Sequence, residues 1–66
     1  MRLRYIRIEK GWTQRDVAET SGVTVQTISH IERGKHPPRL ETMLKISKAL
    51  AVELGDIDEF KQRIAA

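Results

Sequence analysis

Val25, Gln26, Ser29 and His30 share a short segment with Ile28 and Ile31. In a helix, two isoleucines three residues apart mark a buried stripe. The other four side chains then stand opposite it, exposed in any arrangement that buries the isoleucines. An amide, a hydroxyl, an imidazole and a small apolar group make a surface that donates, accepts and packs without a fixed charge. A helix fits the major groove of duplex DNA, and the residues near its N-terminal end reach base edges. Positive charge follows directly: Arg33, Lys35 and Arg39 fall within seven residues, with His36 between them and no acid.

The charge is unevenly placed along the chain. Twelve Lys and Arg stand against nine Asp and Glu, for a net charge of +3. Such a balance suits an anionic partner but is small on its own. The first ten residues hold Arg2, Arg4, Arg7 and Lys10 against Glu9, whereas Glu53, Asp56, Asp58 and Glu59 come with no base among them. A solvated, mixed surface is the ordinary reading of such runs. The sharper reading is a polar molecule, with one face for phosphate and an acidic face turned away from it.

Other chemistries find little support. The spacing implies no Ser/His/Asp arrangement, and the acidic cluster lies beside a short helix, where it serves solubility. A small helical bundle has little room for a closed pocket. Without cysteine, two histidines make no credible metal site. No enzyme activity, cofactor or small-molecule effector is expected.

These side chains must be positioned by a chain of 66 residues, expected to form one domain over its whole length. At this size folding buries only about 60% of the unfolded surface, so the core must be compact. With no disulfide available, a helix bundle is the economical solution. No apolar run approaches the ~18 residues of a membrane span, and the charges scattered through MRLRYIRIEK do not suit a signal peptide. A cytoplasmic protein, not membrane-bound, is expected.

Helical signals dominate. Leu3, Tyr5 and Ile6 predict a first helix through about Lys10, stopped at Gly11. Thr13 is the N-cap of a second helix, with Asp16 completing a capping box and Trp12 stapled onto Val17. That helix ends at Ser21-Gly22. Val23 alone separates Gly22 from the next N-cap, Thr24, and Val23 with Ile28 forms a second staple. The third helix runs from Val25 to Arg33 and stops at Gly34. Pro37 and Pro38 impose an extended stretch. Leu40, Met43, Leu44, Ile46, Ser47 and Leu50 predict a fourth helix with a broad apolar face. A short fifth helix is expected between Leu54 and Ile64, with Leu54, Ile57, Phe60 and Ile64 on one side. No strand is predicted. The expected fold is all-α, a compact five-helix bundle.

Two short helices joined by a tight, glycine-containing turn form a helix-turn-helix, and the stretch TQRDVAETSGVTVQTISHIERGKHPP resembles that of the Cro/CI-type (XRE-type) phage repressors. The likeness extends into the flanks, LRYIRIEKGW and RLETMLKISKALAVELGDIDEF, and covers nearly the whole chain. It implies a lambda-repressor-like DNA-binding domain. By position, Gln14 and Thr24 resemble residues that contact phosphate at helix starts, where free N–H groups and the helix dipole favour anions. Val25, Gln26, Ser29 and His30 match base-reading positions. Glutamine can pair with adenine N6 and N7, and valine can pack on a thymine methyl. Arg33, Lys35 and Arg39 resemble contacts to the DNA backbone or minor groove that position the domain without choosing sequence. Arg7 and Glu32 match a pair that joins the first helix to the third, expected to be partly buried with the guanidinium turned toward a phosphate.

The chain departs from the pattern twice. Arg39 stands where the family commonly has a serine N-cap, so the start of the fourth helix is poorly capped. And no Lys or Arg lies between Val25 and Ile31, so the arginine–guanine contact common in specific recognition cannot come from those positions. The implied function is sequence-specific binding of double-stranded DNA by a bacterial or phage-encoded, nucleoid-associated transcriptional regulator, a repressor acting as a homodimer on a palindromic operator. Leu54, Ile57 and Phe60 are the candidates for its dimer interface, with the domain's own core as their competing use. An antitoxin or adaptor module on the same fold, docking a protein through the acidic segment, is the alternative. Non-specific nucleoid binding fits the weak positive charge less well.

Overall fold

The computed structural model describes residues 1–35 and 38–61. Among these residues four helices follow one another: α1 (Leu3–Glu9), α2 (Gln14–Ser21), α3 (Val25–Glu32) and α4 (Leu40–Leu50). Two three-residue 3-10 turns come after them, Leu54–Asp56 and Asp58–Phe60, and no strand occurs among the described residues. His36, Pro37, Ile64 and the tail, on which parts of the sequence reading fall, lie outside the described residues.

The two central helices begin where their caps place them. Thr13 Oγ1 accepts the Asp16 N–H at 3.1 Å, and Asp16 Oδ2 accepts the Thr13 N–H at 2.8 Å. This capping box satisfies two backbone donors that a bare helix start leaves open. Thr24 Oγ1 accepts the Thr27 N–H at 3.2 Å and starts α3 in the same way. Between them Gly22, at φ +80°, closes α2 by donating its N–H to the Ala18 carbonyl at 2.9 Å. This left-handed geometry lets a single residue, Val23, separate the two helices' caps. Arg39 precedes α4 with no side-chain cap bond, as its type predicts.

α1 is started from far along the chain. The Leu3 N–H is accepted by Glu59 Oε1 at 2.8 Å, across 56 residues. Met1 and Asp58 reinforce the tie: the Asp58 N–H donates to the Met1 carbonyl at 2.8 Å, and the Met1 ammonium donates to the Asp56 carbonyl at 2.7 Å. These bonds explain why no continuous helix runs through Leu54–Phe60. A continuous helix would use the Asp58 N–H and the Asp56 carbonyl internally, but here the N-terminal segment takes both. Ile57 is extended as a result, at φ −99° and ψ 114°, and splits the segment into two turns.

All four helices and the last turns feed one core. α1 contributes Leu3 and Ile6, α2 Val17 and Ala18, α3 Ile28 and Ile31, and α4 Met43, Ile46 and Leu50. α2 packs against both α3 and α4, and α1 against α3. Ile57 and Phe60 are fully buried in this same core, which corrects their assignment to a dimer interface: each is already consumed within its own chain. Burying side chains of this kind stabilises by roughly 1.5–3 kcal/mol apiece. Leu54 is half-buried against the core. The apolar face of α4 is narrower than expected, because Leu40 and Leu44 remain 55% and 51% exposed. Trp12 packs on the core's edge, with the Lys10 ammonium 5.8 Å from its ring centroid.

Candidate nucleic-acid interface

α3 buries Ile28 and Ile31 and turns Val25, Gln26, Ser29 and His30 outward. Gln26 and His30 are exposed, Val25 is 39% exposed, and Ser29 is half-buried. The expected reading positions therefore lie together on one helical face. Thr24, at the start of that helix, is exposed, but its hydroxyl is already engaged by Thr27, at 2.9 Å from the Thr27 hydroxyl. Lys35 and Arg39 are exposed beyond its other end, separated by the undescribed residues 36–37.

Beneath this face lies a charged joint. Arg7 donates from Nε to Glu32 Oε2 at 2.7 Å and from Nη2 to Glu32 Oε1 at 3.1 Å. Its Nη1 donates to the Trp12 carbonyl at 3.0 Å. The Gln14 amide adds a fourth bond, from Nε2 to Glu32 Oε1 at 3.1 Å. Glu32 thus ties α1, the start of α2 and the end of α3 to one carboxylate. The two side chains are only 12% and 7% exposed, so the fork-to-fork geometry operates largely out of water. Hydrogen bonding to Glu32 raises the Arg7 pKa further, outweighing the opposing effect of burial.

Two expectations shift here. The Arg7 guanidinium has three of its donors turned inward, so its position serves the joint before any phosphate. Gln14 has the same bias: the amide expected at the DNA backbone is half-buried and committed to Glu32 by one of its N–H groups.

Arg33, expected at the end of the third helix as a contact to DNA, folds back along α3. Its Nε and Nη2 both donate to Ser29 Oγ, at 3.2 and 2.7 Å. The four-residue spacing that permits this is visible in the sequence, but reading Ser29 and Arg33 as separate contacts concealed their pairing.

The acidic segment is exposed at Glu53, Asp56 and Asp58 and also has partners within the chain. Asp56 completes a capping box with Glu53, Asp58 meets the Met1 ammonium at 3.1 Å and Lys61 at 3.2 Å, and Glu59 caps α1. Among the described residues no group of three or more metal-ligating side chains forms, and no helix is long and apolar enough to cross a membrane.

A helix-turn-helix family model matches residues 3–57. A helix-turn-helix-type transcriptional regulator of Methanocaldococcus jannaschii is 43% identical over 56 residues, covering 85% of each chain. The regulator YgzD of Bacillus subtilis is 38% identical over 56 residues, also 85% of each chain. The Escherichia coli transcriptional regulator PuuR is 40% identical over 55 residues, which are 83% of this chain but 30% of PuuR. No solved structure gives a significant match.

Proposed function

The chain belongs to the helix-turn-helix family of Cro/CI (XRE) type, and on that premise we propose that it is a repressor, binding a palindromic operator in duplex DNA as a homodimer. The observation that carries this reading is the exposed face of α3. Val25, Gln26, Ser29 and His30 stand together opposite the buried Ile28 and Ile31, on a helix fixed from behind by the Arg7–Glu32 joint. Val25, Gln26 and His30 read base edges with Ser29 among them, while Gln14, Thr24, Lys35 and Arg39 hold the backbone and set the register.

One such helix contacts few bases, so a twofold repeat is the economical way to gain specificity. With Ile57 and Phe60 inside the core, the dimer surface we assign is α4. Leu40 and Leu44 stand exposed one turn apart. Glu41 lies in the first turn of the helix and Lys48 in the last. An antiparallel approach of two α4 helices joins the leucines and sets the acidic end of each copy against the basic end of the other.

The antitoxin or adaptor alternative needs an available acidic surface. Asp56, Asp58 and Glu59 are engaged with Glu53, the N-terminal segment and Lys61, which favours the DNA reading. Binding to duplex DNA across a salt series is the test. Several phosphate contacts predict a steep fall in affinity, with a log–log slope near −0.9 per contact. A flat response, or no binding at low salt, would overturn the proposal.

A further inference from the structure

We propose that Arg33 is a specificity-determining residue that reads a guanine, with Ser29 as the residue that positions it. This rests on the DNA-binding reading of α3. It supplies from the end of the helix the arginine that is missing between Val25 and Ile31.

Position comes first. Arg33 follows Gln26 by seven residues and Ser29 by four, so the three fall on one helical stripe, opposite Ile28 and Ile31. Helical side chains lean toward the N-terminus, and a long one covers the turn before its own Cα. Arg33 does this: its guanidinium sits at Ser29 Oγ, a full turn nearer the end of α3 that enters a groove. Arg33 forms no ion pair among the described residues, unlike Arg7.

The hydrogen-bond pattern then selects the base. Ser29 Oγ is bound to the Nε and Nη2 edge of the guanidinium. The other edge, formed by Nη1 and Nη2, keeps its parallel pair of N–H donors directed away from the serine. A serine oxygen has two lone pairs, and Arg33 occupies both, so the hydroxyl has only its O–H left to offer. The patch is therefore donor-only. In the major groove, guanine presents two adjacent acceptors, N7 and O6, whereas adenine sets its N6 donor beside N7. A donor fork held in place matches guanine and is repelled by adenine. Fixing the fork in the free protein also lowers the ordering cost of binding.

The experiment is fluorescence-anisotropy binding of the full chain and its Arg33→Ala, Arg33→Lys, Ser29→Ala and double Ser29→Ala/Arg33→Ala variants. The DNA is a duplex chosen by selection with the wild-type protein, together with every single-base change in one half-site. Unchanged circular dichroism melts confirm folding. The expected result is a guanine at one half-site position whose preference falls by about 5- to 150-fold in Arg33→Ala. Other positions keep their preferences. Arg33→Lys retains the charge but loses the same discrimination, because a lysine ammonium is a point charge without the fork. Ser29→Ala weakens preference at that same position, and the double variant is no worse than Arg33→Ala alone.

Arg33→Ala lowering affinity equally for every duplex, with Arg33→Lys restoring it, would assign Arg33 to phosphate and overturn the proposal. So would additive effects of Ser29→Ala and Arg33→Ala at different base positions. Selection that enriches no sequence at all would overturn the DNA-reading premise itself, an outcome distinct from a motif that is read without Arg33.

Discussion

Glu32 accepts the Arg7 guanidinium at 2.7 and 3.1 Å, joining the last residue of α3 to the last turn of α1 with both side chains nearly out of water. The contact spans 25 residues of sequence and carries the Gln14 amide as well. The orientation of α3 relative to α1 and α2 is therefore tied to one carboxylate.

Glu32→Ala is expected to leave the Arg7 charge buried and unpaired. The cost is about 3–5 kcal/mol, a large share of the stability of any small domain, and affinity for DNA falls with it. Replacing both partners, Arg7→Met with Glu32→Leu, should be more stable than Glu32→Ala, since no charge is then stranded. Urea denaturation of the three proteins measures this. Full stability and full affinity in Glu32→Ala would remove the joint from the account.

Ala51 ends α4 in the left-handed region, at φ 56° and ψ 43°. A Cβ there costs roughly 1–2 kcal/mol that glycine avoids. Ala51→Gly is expected to raise stability by about 1 kcal/mol without altering DNA affinity. Gly22→Ala should do the opposite. No heavy atom lies within 4 Å of its would-be Cβ, so the loss of about 1–2 kcal/mol is a backbone cost alone. Thermal melts of both variants decide the sign.

Much of this was legible before the structure. The capping residues Thr13 and Thr24 act through local bonds, so four residues of sequence suffice to recognise them. The Arg7–Glu32 pair is not local, and it was legible only through the resemblance. A helix through Leu54–Phe60 fails because its hydrogen-bond partners come from Met1, at the other end of the chain. The same distance hid Glu59 as the cap of α1. Leu40 and Leu44 satisfy a helical apolar pattern, but the width of the stripe that finds a partner is set by packing, which periodicity does not encode.

The acidic segment should matter to stability and not to DNA. Glu59→Ala removes the acceptor for the Leu3 N–H and is expected to cost about 1 kcal/mol, as lost caps do. Affinity should stay unchanged at temperatures where the protein is folded. A titration showing weaker binding with unaltered stability would place Glu59 in the interface instead.

Asp58 predicts a pH dependence. The N-terminal ammonium, and after it Lys61, hold its carboxyl below the ordinary value. A carboxyl depressed on folding stabilises above its unfolded pKa of ~3.9, and that contribution is lost as pH falls through the lower folded value. Asp58→Asn should therefore flatten the loss of melting temperature below about pH 4. Parallel acid-side curves for the two proteins would contradict this.

Leu44→Asp is expected to prevent dimerisation on DNA while leaving the monomer folded, because Leu44 is half exposed. Sedimentation with operator present should show one copy per duplex where wild type shows two. Two copies of the variant, bound with unchanged affinity, would move the interface elsewhere.

Selection of binding sites by the full chain from a pool of random duplexes tests the central claim most directly. The predicted result is a palindrome with half-sites about 34 Å apart, one helical turn, and base preferences clustered where α3 lies. A pool left unenriched, or a single asymmetric site bound by one copy, would contradict a dimeric repressor that reads sequence through α3.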